Sequence, residues 1–282
     1  MTDRILLFGA SGQLGRALLS AGPPDVVIAP RSVDIADAQA VLECTKQATP
    51  TWIVNAAAMT DVDGAHVRPE LAMAINTLGP GNLARAADSV GARMVHVSTE
   101  AVFDGESTRS YTEDDVCHPV SVYGASKLAG EHLVSIFSPE SYILRTSWLY
   151  SGATGTNFPT RILEQLRDPG RVISVVTDIV GNPTTTSLLA EAIMALMGRP
   201  PAPGTYHVCC RDAASKFDWA VEIAEVGGHD PGRITPVTSA EYPTVALRPK
   251  HVDLDCTKFA DTGLIRLPTW REAWRDVLAD RG

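Results

Sequence analysis

The chain has 282 residues, 45% of them hydrophobic and 20% charged, with a formal net charge of −9. This predicts a folded globular protein with a sizeable core, and the acidic balance argues against broad binding to nucleic acid or an anionic membrane. The start, MTDRILLFGASG, has too short an apolar run for a signal peptide, and no stretch approaches the ~20 apolar residues of a membrane span.

Strand and helix signals alternate along the first half. RILLFG (4–9) reads as a strand, followed by a helix from about Gly12 to Ala21. DVVIAP (25–30) is a second strand, DAQAVLECTKQA a second helix and TWIVNAAA (51–58) a third strand. A long helical region runs from Pro69 to Val90, loosened by the GPG at 79–81. RMVHVST (93–99) is a fourth strand, a helix carries Tyr123 and Lys127, and SYILRTSW (141–148) is a fifth strand. Beyond Tyr150 the pattern gives helices near 158–167 and 186–197, strands near 171–176 and 204–209, and a last helix from Thr269. This order predicts an α/β fold: a doubly wound parallel sheet of the Rossmann type with a smaller carboxyl-terminal lobe. The expected division is a dinucleotide-binding domain at 1–149, completed by about 177–209. The expected substrate lobe is 150–176 with 210–282.

GASGQLG, Gly9 to Gly15, sits between the first strand and the first helix, the context a dinucleotide-binding turn requires. The helix start offers backbone N–H groups to a pyrophosphate, so Gly9, Ser11, Gly12, Gln13, Leu14 and Gly15 are the predicted phosphate cradle. The second strand ends at Pro30-Arg31-Ser32. Arg31 either meets a 2′-phosphate, which favours NADPH over NADH, or is a solvated turn residue. Asp34 and Ile35 are expected against the adenine. Ala56, Ala57 and Ala58 would let backbone approach the cofactor, although a tight helix–strand crossing explains three alanines equally well.

Tyr123 and Lys127 are four residues apart and share one helix face. At an effective dielectric of about 20 and about 5 Å, an ammonium lowers a phenol's pKa by about two units, into the range of a general acid or base. A core tyrosine beside a snorkelling lysine has the same spacing. The five cysteines show no metal-ligand spacing, and no histidine pair has the H-x-x-x-H form. The expectation is a cytoplasmic, reduced protein without a metal site.

Several blocks together resemble a known family: GASGQLG, NAAAMTDVDGAH, HVSTEAVFDG, VYGASKLAGEH, LRTSWLY, the NF at 157–158, TDIVGNPT and ALRPKHVDLD. The chain is similar to the extended short-chain dehydrogenases/reductases and, within them, to the dTDP-4-dehydrorhamnose reductases and related sugar-nucleotide 4-ketoreductases. The resemblance implies NAD(P)H-dependent reduction of the C4 ketone of a nucleotide-linked 4-keto-6-deoxyhexose, its nucleotide expected to be dTDP, and it allows a homodimer. It places the catalytic threonine on Thr99, the proton-donating tyrosine on Tyr123 and the lysine on Lys127, the last two also touching cofactor. Val62, Glu100, Ala101, Trp148, Asn157 and Phe158 are the implied sugar and base contacts, with Arg248 for the diphosphate.

The chain departs from that family at Ala101, where the family carries an aromatic against the sugar, and at Val252, where it carries serine. Burying a side chain of that size contributes about 1.5–3 kcal/mol, enough to change which sugar fits. Two other readings compete with the reductase. A sugar-nucleotide dehydratase or epimerase of the same superfamily is one, but a dehydratase needs an Asp-Glu pair after the threonine, and here Glu100 is followed by Ala101. The other is an NADP-binding regulatory subunit resembling the partner of methionine adenosyltransferase, which altered contacts at 100–101 would suit.

Overall fold

The computed structural model describes residues 3–152 and 156–279. Ile5–Phe8 (β1), Gln13–Ser20 (α1), Val26–Ile28 (β2), Ala38–Ala48 (α2) and Trp52–Asn55 (β3) alternate strand and helix as the sequence predicts. Val62–Val67 (α3), Pro69–Met73 (α4), a π-helical turn at Ala74–Leu78 and Gly79–Val90 (α5) form the long helical stretch. Arg93–Thr99 (β4), Val122–Phe137 (α6) and Tyr142–Thr146 (β5) complete the first half. The second half opens with Leu149–Tyr150 (β6), Phe158–Leu166 (α7), Ile173–Val176 (β7), Val180–Gly181 (β8) and Thr184–Thr185 (β9). Thr186–Gly198 (α8), Gly204–His207 (β10), Ala214–Ser215 (β11), Lys216–Val226 (α9), Ile234–Val237 (β12), Thr257–Ala260 (α10) and Trp270–Ala279 (α11) follow.

Six strands form one parallel sheet in the order β10-β5-β4-β3-β1-β2. β1 and β3, at its centre, are buried at every position because both faces are covered. Ile5, Leu7, Trp52, Val54, Val95, Tyr142 and Leu144 point into one core with α1 and α8. Their alternates Leu6, Phe8, Ile53, Met94 and Ile143 point into the other, with α2, α5 and α6. The chain reverses direction across the sheet between β1 and β3, and the carboxyl ends beside such a switch point are where open α/β sheets bind ligands. The predicted strand near 171–176 forms, but as β7 it pairs with β12 outside the main sheet.

The Pro69–Val90 region does not break at GPG. Gly79 packs against the Ile35 side chain and Gly81 against Leu133, contacts that leave no room for a Cβ. The π-helical turn before it presents the buried Asn76 to two elements. Its Oδ1 accepts from the Met59 N–H (2.9 Å), while its Nδ2 donates to the Met59 carbonyl and to Ser126 Oγ, both at 3.0 Å. One widened turn thereby ties the loop after β3 to α6. A further helix, α3, starts at Asp61, whose carboxylate accepts from the Gly64 N–H; the sequence reading had no helix there.

Candidate active site

A cleft of about 450 Å³ opens at the carboxyl edge of the sheet. Gly12, Gln13 and Leu14 form one wall, Ala56, Ala57 and Ala58 the next, and Thr99, Tyr123 and Lys127 the third. Gly9 adopts φ +83°, and a Cβ there would lie 2.5 Å from the Ala56 carbonyl carbon, so only glycine allows the two loops to meet. Gly15 stands against the Gly9 carbonyl and the Ala10 backbone and likewise has no space for a Cβ. The Gly12 N-cap makes no side-chain capping bond, which leaves the first N–H groups of α1 for a ligand. Glycines held at backbone contact and an uncapped helix start at a switch point fit a dinucleotide pyrophosphate.

The other expected cofactor contacts divide. Arg31 and Asp34 are exposed just beyond β2, with Asp34 Oδ1 accepting from the Ala36 N–H at 2.9 Å. Ser11 is exposed on the glycine turn. Ile35 corrects the expectation for its side chain, which is buried in the core against Gly79 and leaves only its backbone to face an adenine.

On the reacting side, Ser121 caps α6 by accepting from the Gly124 N–H (3.1 Å), which aims Tyr123 and Lys127 from the first turns of the helix toward the end of β4. Lys127, only 2% exposed, donates to the Val97 carbonyl at 2.7 Å and lies 3.5 Å from His96 Nε2. Asn55 Oδ1 accepts from the Ala57 N–H, so its Nδ2 donates to His96 Nδ1 at 3.0 Å, and burial with Lys127 nearby keeps this imidazole neutral. Burial lowers the Lys127 pKa to about 8, against the opposing pull of Glu131.

The phenol behaves differently from the sequence expectation. Burial foremost, and then the Glu100 carboxylate, push the Tyr123 pKa up, while the Thr99 hydroxyl opposes them in part. The Lys127 ammonium, held by the Val97 carbonyl, does not lower it. Tyr123 is thus a neutral phenol, able to give a proton and a poor base. Thr99 accepts from the Ala101 N–H at 3.2 Å and hydrogen-bonds Glu100 Oε2 at 2.7 Å. Burial raises the Glu100 pKa, with Thr99 and then Lys216 resisting.

The sugar-side contacts also divide. Val62 is on the wall at the start of α3, and Asn157 caps α7 by accepting from the Thr160 N–H at 3.0 Å. Trp148 and Phe158 both face the cleft and stack on Trp219, at centroid distances of 5.9 and 4.9 Å. Trp148 holds φ +43°, rare for a bulky residue, with Gly181 directly behind its ring. Ala101 is 7% exposed and does not line the cleft; its carbonyl backs onto Gly124. The lost aromatic therefore leaves no open space at position 101 itself. Arg248 stands outside the cleft wall, bridged to Asp63 at 3.0 Å.

Lys216 was missed by the sequence reading. It is the first residue of α9, in the cleft, with its Nζ 3.3 Å above the Trp148 ring and 4.9 Å from the centroids of both Phe158 and Trp219. Burial lowers its pKa to about 7, with Glu100 resisting and Arg248 adding to the shift. One local signal was available: the Ser215/Asp218 capping box marks a helix start, where the helix dipole disfavours a cation. Among the described residues no cluster of three His, Cys, Asp or Glu side chains could hold a metal ion. No helix there is long and apolar enough to cross a membrane.

The family model described as the RmlD substrate binding domain matches residues 3–281. A dTDP-4-dehydrorhamnose reductase of Mycolicibacterium smegmatis is 37% identical over 99% of this chain and 86% of its own. A dTDP-4-keto-6-deoxy-D-glucose reductase of Streptomyces niveus is 38% identical over 97% and 96%. The crystal structure of dTDP-4-dehydrorhamnose reductase from Bacillus anthracis in complex with NADP superposes with a TM-score of 0.93 at 32% identity, covering 99% of this chain and 100% of that one. With the glycine cradle, the Thr99/Tyr123/Lys127 set and this coverage in agreement, the chain belongs to the RmlD substrate-binding-domain family, the family of the dTDP-4-dehydrorhamnose reductases.

Proposed function

We propose that the protein reduces the C4 ketone of a nucleotide-linked 4-keto-6-deoxyhexose, dTDP-linked as in its named relatives, with NADPH preferred and NADH accepted. The observation that carries this reading is the convergence of Thr99, Tyr123 and Lys127 in one cleft with the glycine turn. The cofactor preference is supported by Arg31, exposed just past β2, and by the NADP complex of the Bacillus anthracis relative. On this reading the sheet, with α8 and β10 added, serves the cofactor, and 150–176 with 210–282 serve the sugar. Five unpaired cysteines support work in the cytoplasm.

A bound nicotinamide dinucleotide supplies the hydride to the carbonyl carbon. Tyr123 gives its phenolic proton to the carbonyl oxygen; its raised pKa keeps that proton in place before the step but makes the phenol a weaker acid in it. Thr99 has a single proton. While Glu100 is ionised that proton points to the carboxylate, and once Glu100 is protonated the carboxyl donates instead and Thr99 can turn to the ketone. Burial favours this second arrangement. Lys127 uses one of its three donors on Val97 and keeps two for the nicotinamide ribose.

The test is NADPH and NADH oxidation with dTDP-4-keto-6-deoxyglucose and its epimerised form dTDP-4-dehydrorhamnose, with NMR of the product at C4. Turnover of neither, despite NADPH binding, would favour the regulatory-subunit reading. The Lys127 ammonium is present below its pKa and lost above it, so turnover is expected to fall as pH rises through about 8, a limb visible in the kcat profile. Overpacking a tight site costs about 1–3 kcal/mol. Gly15→Ala, forcing a Cβ onto the Gly9 carbonyl, is accordingly expected to raise the NADPH dissociation constant about tenfold. Fluorescence titration reads that change, and unaltered affinity would count against the cradle.

A further inference from the structure

The Lys216 ammonium has three donors, and among the described residues no acceptor lies within hydrogen-bonding or ion-pair distance of its Nζ. Three aromatic rings surround it in place of polar groups. Cation–π attraction holds the ammonium over the rings, and among the described residues its donors face the cleft without a protein acceptor. Its position shows what can supply that acceptor: it shares the cleft with Tyr123 and Thr99, on the wall built by Trp148 and Phe158.

The chemistry of that acceptor follows from the surrounding charges. Glu100 lines the same cleft as Lys216 and accepts from the Thr99 hydroxyl at 2.7 Å, and the charge of each bears on the other. A diphosphate placed there would face the Glu100 acceptor oxygen with no proton to offer it. A hydroxyl suits both partners, since it accepts from Lys216 and donates to the Glu100 oxygen not engaged with Thr99, an acceptor whether the carboxyl is ionised or protonated, and the Trp148 and Phe158 rings suit the C–H face of a sugar. Because Glu100 is one hydrogen bond from Thr99, the hydroxyl it reads belongs to a ring carbon next to the ketone. In a 4-keto-6-deoxyhexose that carbon is C3, as C5 carries the methyl group and the ring oxygen.

Building on the ketoreductase reading, we propose that Lys216 and Glu100 form a donor–acceptor pair that binds the C3 hydroxyl and selects 4-keto sugars bearing it over 3-deoxy sugars.

The experiment compares kcat/KM, by NADPH oxidation, for a dTDP-4-keto-6-deoxyhexose and its 3-deoxy counterpart in the wild type, Lys216→Met and Lys216→Arg. A site built around a hydroxyl rejects the analogue lacking it by up to about 10⁴-fold. The wild type is expected to prefer the hydroxylated sugar by about 10²-fold or more. Lys216→Met should lose that preference mainly by losing the hydroxylated substrate, and Lys216→Arg should retain much of it. Lys216 as mere packing for Trp148 would lower both activities alike and leave their ratio unchanged, which overturns the proposal. Equal wild-type rates on the two sugars overturn it as well, whether or not Lys216→Met folds, while leaving the ketoreductase reading intact. No wild-type turnover of either sugar, with NADPH still bound, overturns both.

Discussion

Tyr123→Phe is expected to lower kcat by about 10²–10⁴-fold, the range of a positioned general acid, while NADPH binds with unchanged affinity. The phenol contributes one hydroxyl to the site, and its removal leaves the ring's packing beside Met59 and the cap of α6 in place. The glycine turn proposed for the pyrophosphate lies on a different wall of the cleft. Since burial and Glu100 hold this phenol neutral, the lost function is proton donation and not phenolate chemistry. Single-turnover kinetics with pre-bound NADPH would isolate the step. Near-normal turnover in this variant would remove Tyr123 as the proton donor.

Glu131→Ala is expected to be the most destabilising of the single changes considered. Glu131 lies one helical turn beyond Lys127 on the same face of α6 and receives Arg145 of β5 through contacts of 2.8, 3.1 and 3.2 Å. The two side chains are only 4% and 7% exposed. Leaving Arg145 buried and unpaired costs about 3–5 kcal/mol. At a few degrees per kcal/mol this amounts to roughly 10 °C in melting temperature. A second consequence separates this variant from general loosening. Glu131 resists the loss of the Lys127 proton, so without it the alkaline limb of the rate profile should move below pH 8. Replacing both partners, Glu131→Leu with Arg145→Met, should recover most of the stability, because the burial penalty disappears with the charges. A melting temperature within a degree or two of wild type for Glu131→Ala would refute the anchor.

The parts of the site that could be read directly from the chain are those set by spacing within one element. Gly9 and Gly15 flank a single turn, and Tyr123 and Lys127 share one helix face. Thr99 was placed by resemblance at the end of its strand, and that strand end enters the cleft. Strand patterning carried the sheet as well, since β1 and the first three residues of β3 and of β5 are apolar runs buried on both faces. Where the reading erred, the outcome depended on what lay across from a residue. Ile35 turned inward because Gly79 leaves a hole for it, and Ala101 lies behind the wall because Gly124 lets its carbonyl approach.

By itself the sequence determined the α/β order of elements, the glycine turn after the first strand and the shared helix face of Tyr123 and Lys127, because helix and strand periods and short turns are local properties. Tertiary structure alone decided the electrostatics and the sugar wall. A pKa depends on burial and on charges brought near by the fold, which is why the phenol rises although a lysine follows it by one turn. Lys216 reaches the Trp148 ring, and feels the Glu100 charge, only because β11 pairs with β8 and sets the start of α9 over the cleft. No spacing in the chain encodes that meeting; it comes from the packing of the second lobe on the sheet edge.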